Sequence, residues 1–151
     1  MSGSFEDVLA RDGKLVYTVV GTSMLPMLRQ RRDLVIVEPP RGSLRKYNVA
    51  LYRRDTGKVV LHRVLKVRED GYVLCGDHQR RREYGITDRH IIGVLTAFVR
   101  DGKEIPATDV YYRLYVHLWC DLFWLRVAIL WCLDLPGRIR RKLQKRRNMM
   151  A

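Results

Sequence analysis

The apolar positions of this chain fall in short blocks. Residues 15–20, 34–37, 49–52, 58–68, 72–75 and 91–100 are each apolar or β-branched runs of strand length. Turn chemistry separates them: Pro39-Pro40, Asp55-Thr56-Gly57, Asp70-Gly71 and Asp101-Gly102, with Glu104-Ile105 stopped by Pro106. Short blocks at this spacing predict a mainly β, antiparallel domain. Residues 49–52 and 58–68 are expected to pair as a hairpin.

Helical patterning appears at both ends. Ser4 with Asp7 three positions on resembles a capping box, with aspartate where Glu or Gln is usual. A short helix is predicted to about Asp12, ended by Gly13. Far downstream, Thr108-Asp109 can cap a helix beginning near Val110. Residues 114–133 are rich in Leu, Trp, Phe and Val and have about the length of a membrane span. His117, Asp121 and Arg126 interrupt that run. Arg113, His117 and Asp121 form one polar stripe, and Arg126 falls on the other side. Charges at mid-bilayer are costly. The pattern therefore predicts an amphipathic helix lying in a membrane interface, with Trp119, Trp124 and Trp131 at headgroup depth and Pro136-Gly137 at its end. Two regions follow: a β domain over 1–107, and a helix with a polybasic tail over 108–151.

Charge sharpens this picture. The 151 residues carry a net charge of +13. Such a balance attracts anionic lipid, nucleic acid or acidic peptides and says nothing about fold. Arg138 to Lys142 and Lys145 to Arg147 make the tail attractive to an anionic membrane surface. Nucleic acid is the less favoured partner, because no helix-turn-helix pattern or aromatic-interleaved basic strand is present. Arg29, Arg31 and Arg32, like Arg80, Arg81 and Arg82, are expected in solvated loops. Cys75, Cys120 and Cys132 are scattered and odd in number, so buried thiols are expected rather than a disulfide framework or a zinc site. No metal or cofactor is expected. The opening segment is short and polar, without the apolar core of a secretory signal. With positive charge favouring the cytoplasmic side, a peripheral site on the cytoplasmic face of a membrane is expected.

The candidate chemistry lies in Gly21-Thr22-Ser23-Met24-Leu25-Pro26, read with Leu61-His62-Arg63-Val64 and Gly76-Asp77. Ser23 sits at a strand-to-turn junction, where a serine can be presented as a nucleophile if a base takes its proton. It can equally be a turn serine bonding its own backbone. His62 shares a strand face with Val60 and Val64. It is either a core histidine with one hydrogen bond or, partly shielded, a general base suited to neutral pH. Lys58 and Lys66 are rival bases. Arg63 points to the opposite face. Asp77 and Glu83 are the two carboxylates available to orient the imidazole, Asp77 being equally a turn aspartate.

In that order, Ser-Met-x-Pro at 23–26, His-Arg-Val at 62–64, Gly-Asp at 76–77 and Ile-Ile-Gly-Val at 91–94 resemble the signal peptidase group of serine peptidases, which shares its β scaffold with self-cleaving SOS repressors. The resemblance spans residues 16–99, about half the chain. Histidine rather than lysine at 62 resembles the endoplasmic-reticulum and archaeal type. The resemblance implies Ser23 as nucleophile, His62 as base, and Asp77 and Glu83 as the matching acids. Thr22 and Met24 flank the nucleophile as candidate oxyanion and substrate-binding positions. It further implies cleavage of a leader or signal peptide after small side chains, through an acyl-enzyme. The sequence departs from the family at three places. Gly21 stands where a serine often donates to the oxyanion, His78-Gln79 replaces Asn-Asn, and the usual N-terminal membrane anchor is missing, a role the C-terminal helix is expected to take. The alternative is a non-catalytic module on the same scaffold that binds peptides or membranes.

Overall fold

The computed structural model describes residues 4–122 and 124–132. Helix α1 (Phe5–Asp12) leads into strands β1 (Leu15–Thr18), β2 (Leu34–Glu38), β3 (Val49–Arg53), β4 (Val59–Arg68), β5 (Gly71–Cys75), β6 (Glu83–Ile86), β7 (Ile91–Arg100) and β8 (Lys103–Pro106). Helices α2 (Val110–Asp121) and α3 (Trp124–Cys132) close the described chain. The mainly β, antiparallel expectation holds. One sheet runs β1-β2-β7-β3-β4-β5-β6, with β8 paired to β7. The hairpin of β3 and β4 is as expected, with Ala50 opposite His62 and Tyr52 opposite Val60.

Local signals explain the ends of α1. The Ser4 hydroxyl accepts from the Asp7 N–H while the Asp7 carboxylate accepts from the Ser4 N–H, and Gly13 closes the helix in the left-handed region. Strand β6 is absent from the sequence expectation. It is a short edge strand containing Gly85, and only pairing with β5 makes it regular.

The larger core cluster joins both helical ends to the sheet. Leu9 of α1, Met24, Met27 and Leu28 of the loop after β1, and Val35, Leu51, Leu95 and Phe98 of the sheet pack together, with Tyr112 and Tyr115 of α2 against them. A smaller cluster, including Ala50, Tyr52, Val64 and Leu74, fills the other face.

Arg29, expected in a solvated loop, carries structure instead, while Arg31 and Arg32 are exposed as expected. Arg29 and Arg100 both bind the fully buried Asp33 carboxylate, and Arg29 and Arg32 also meet Asp101. This clamp holds the loop after β1 against β7.

The C-terminal region differs from one long interfacial helix. α2 and α3 meet at a bend of 91°, and among the described residues no single helix is long and apolar enough to cross a membrane. Trp119 is half-buried, its indole N–H donating to the Asp77 carbonyl at 2.9 Å, so it is not a headgroup anchor. Arg126 is buried and donates to the carbonyls of Gly76 and Gln79. Pro136-Gly137 and the polybasic tail lie outside the described residues.

Candidate active site

The chain leaves β1 through Val19, which is buried, and Val20, which is exposed. Gly21 follows with φ +96°, in the left-handed region. A serine here would be strained, so the glycine goes with the absence of a side-chain donor at this position. Met24, Met27 and Leu28 then anchor the turn in the core. Ser23 is left half-exposed at a fixed place. The sequence expectation for Met24 needs correction in part. It borders the pocket, but its side chain is 2% exposed and serves the core.

Gly76 presses the next loop onto this turn. A Cβ at Gly76 would lie 2.5 Å from the Ser23 carbonyl oxygen and 3.0 Å from the Ser23 Cβ. The His78 N–H donates to that same carbonyl at 2.8 Å. Gly76→Ala is therefore expected to push Ser23 out of place. Overpacking of this kind costs about 1–3 kcal/mol. The check is thermal unfolding beside Ser23 reactivity, with reactivity falling at least ten-fold, as a misplaced reacting group implies.

Ser23 and His62 line one cavity of about 500 Å³, along with Tyr17, Val20, Thr22 and Gln79. No hydrogen bond joins the Ser23 hydroxyl to His62 in this structure, a looseness common before substrate tightens a site. His62 is 2% exposed. Its Nδ1 lies 3.0 Å from the Tyr52 hydroxyl, which donates to Glu83 Oε2 at 2.6 Å. Because the Tyr52 proton goes to Glu83, the Tyr52 oxygen must accept from Nδ1–H. That fixes the tautomer and leaves Nε2 as the nitrogen that carries the lone pair. Arg54 holds Glu83 with two hydrogen bonds of 2.6 Å. The Glu83 carboxylate is 3.6 Å from His62 Nδ1.

These surroundings set the charge states. Burial pushes the His62 pKa down from 6.5 to about 4, with Glu83 opposing and Arg54 reinforcing the shift. The imidazole is neutral at pH 7. Burial alone would raise Glu83, but hydrogen bonds from Arg54 and Tyr52 outweigh it and lower its pKa, so it stays ionised.

The two acids separate cleanly. Asp77 does not reach His62 as an orienting group. Its carboxylate is fully buried and taken by Arg63 through two hydrogen bonds, of 2.9 and 2.7 Å. The Tyr115 hydroxyl adds a third at 3.3 Å. Arg63 also donates to the Tyr47 carbonyl and the Tyr112 hydroxyl. Asp77 thus ties β4 to α2, and Glu83, through Tyr52, is the acid beside the imidazole. Lys66 is exposed and follows a register shift in β4, which removes it as a base. Lys58 borders the cavity but is exposed. Exposed Thr22 also borders it. Of the cysteines only Cys75 is buried; Cys120 is half-buried and Cys132 exposed.

No family model, curated protein or solved structure matches the chain.

Two residues escaped the sequence reading. Tyr52 read only as an apolar strand position. Gln79 borders the cavity, with its amide carbon 3.2 Å from where a Gly76 Cβ would stand, beside Ser23. Among the described residues its side-chain amide has no hydrogen-bond partner. The Ser23 N–H is likewise unengaged.

The cleft also has two open strand edges. β1 pairs only with β2, and residues 59–62 of β4 pair only with β3, because β5 begins pairing at Arg63. Both edges border the cavity.

Proposed function

We propose that the protein is a serine endopeptidase working through Ser23 and His62, of signal-peptidase-like type. The observation that carries this reading is the half-exposed Ser23 sharing a cavity with a buried, neutral His62 whose Nδ1 is tied through Tyr52 to Glu83.

In the proposed reaction a peptide lies as an added strand between the open edges of β1 and β4. His62 Nε2 takes the Ser23 hydroxyl proton as the oxygen attacks the scissile carbonyl. The imidazolium so formed is stabilised by the Glu83 charge and by the Tyr52 oxygen. The Ser23 N–H and the Gln79 amide donate to the oxyanion, taking the place of the side chain missing at Gly21. His62 then gives its proton to the leaving amine, and an acyl-Ser23 ester remains. Water, deprotonated by His62, attacks the ester and frees the new C-terminus and the Ser23 hydroxyl. Substrates are leader or signal peptides with small side chains before the cut.

The test is cleavage of a peptide pool, read by mass spectrometry, by wild type and Ser23→Ala. Cleavage is expected in the wild type and absent in the variant. The acid limb should fall well below 6.5, towards about 4, because only below its depressed pKa does His62 lose its lone pair. An acid limb near 6.5 contradicts a buried base. Peptide retained uncut by both proteins favours the non-catalytic module.

A further inference from the structure

The helices behind the cavity have two faces. One packs on the domain through Tyr112, Tyr115 and Val116. The other is apolar and open. Tyr111, Leu114 and Leu118 recur at helical spacing on α2, with Leu122 just past its end, each 48–83% exposed. Past the bend, Leu125 and Trp124 are also exposed, at 53% and 82%. Large apolar side chains left exposed along one helix face mark an interaction surface.

Charge says what covers it. A second depression, of about 510 Å³, lies at the end of α2 beside Cys120 and Asp121 and is bordered by Lys46, Lys66, Arg68 and Arg82. Beyond α3 the sequence adds seven Lys and Arg between positions 138 and 147. The net charge of +13 disfavours a second copy of the same chain on this face. Leucines and tryptophans next to basic groups suit the boundary of acyl chains and anionic headgroups.

We propose that the open face of α2 and α3 docks on an anionic lipid surface, with the helices lying along it rather than crossing it. The bend of 91° leaves no straight span. Docking does not depend on the peptidase reading. If both hold, the active site works at the lipid surface, because Trp119 of α2 and Arg126 of α3 grip the carbonyls of Gly76, Asp77 and Gln79 in the loop behind Ser23.

The experiment is co-sedimentation of the full chain with vesicles of phosphatidylcholine alone or mixed with phosphatidylglycerol. Tryptophan quenching by brominated lipid is read alongside. Expected are binding to the mixed vesicles at least ten-fold tighter than to neutral ones, and quenching in the bound state. Leu118→Glu combined with Leu125→Glu should weaken binding at least ten-fold at unchanged melting temperature, both side chains being exposed. Failure of folded wild type to bind overturns the proposal. So does binding that the double variant keeps in full, or binding by wild type without tryptophan quenching, which would assign the contact to the tail. A dimer that the double variant dissociates, with no vesicle binding, gives the face to a second copy. Ser23→Ala is run in parallel: binding without cleavage by any form sinks the peptidase reading and leaves docking intact.

Discussion

Asp77→Asn is expected to destabilise the fold strongly. The substitution leaves the shape nearly unchanged and removes one charge. Arg63 is fully buried, and Asp77 is the carboxylate it binds. Breaking a buried pair from one side costs about 3–5 kcal/mol, because the remaining charge stays desolvated. In a chain of this size that lowers the melting temperature by roughly 10 °C. Two hydroxyls, from Tyr112 and Tyr115, lose their place in the same network. Replacing both partners together, as Arg63→Met with Asp77→Leu, should recover much of the loss. Calorimetry of the three variants decides. A catalytic Asp77 would behave differently, with activity lost at unchanged stability.

His62→Ala is expected to cost catalysis more than any change short of removing the Ser23 nucleophile itself. General-base help contributes about 10²–10⁴-fold, and removing a member of a cooperating Ser-His pair often costs more. The same substitution changes stability in a direction that can be worked out. The folded state holds His62 neutral down to about 4, while the unfolded chain protonates it near 6.5. Between those values the unfolded state binds the extra proton. Stability is therefore fully present above about 6.5 and is lost as pH falls through that window. The span corresponds to about 3 kcal/mol at 1.36 kcal/mol per unit. His62→Ala should flatten this acid loss. Urea titrations at pH 7 and pH 4.5 measure it, and an equal slope in both proteins contradicts a neutral buried imidazole.

The strands were legible because their apolar blocks are local. Leu34 to Val37 or Val49 to Tyr52 reads as strand whatever surrounds it. Elements that exist through distant pairing were not. β6 needs β5 to be a strand at all. The break between α2 and α3 carries no proline or glycine, and the helical spacing of apolar residues runs past it. It coincides with Arg126 reaching the Gly76 and Gln79 carbonyls, a contact no window of sequence contains. Ser23, His62 and Glu83 could be named in advance from motif order. Tyr52 could not, since its part depends on a hydroxyl arriving between an imidazole on β4 and a carboxylate on β6. Asp77 held an unused clue. Arg63 alternates away from His62 on a buried strand, and a buried guanidinium needs a carboxylate.

The central claim is that His62 activates Ser23. It is tested most directly by intact-mass measurement after exposure to a fluorophosphonate, which needs no known substrate. Wild type should gain one phosphonyl adduct, mapped to Ser23. His62→Ala should react at least about 100-fold more slowly, the lower end of general-base help, and Ser23→Ala not at all. Folded wild type that stays unlabelled, or labelling of Ser23 that proceeds equally without His62, would contradict the account.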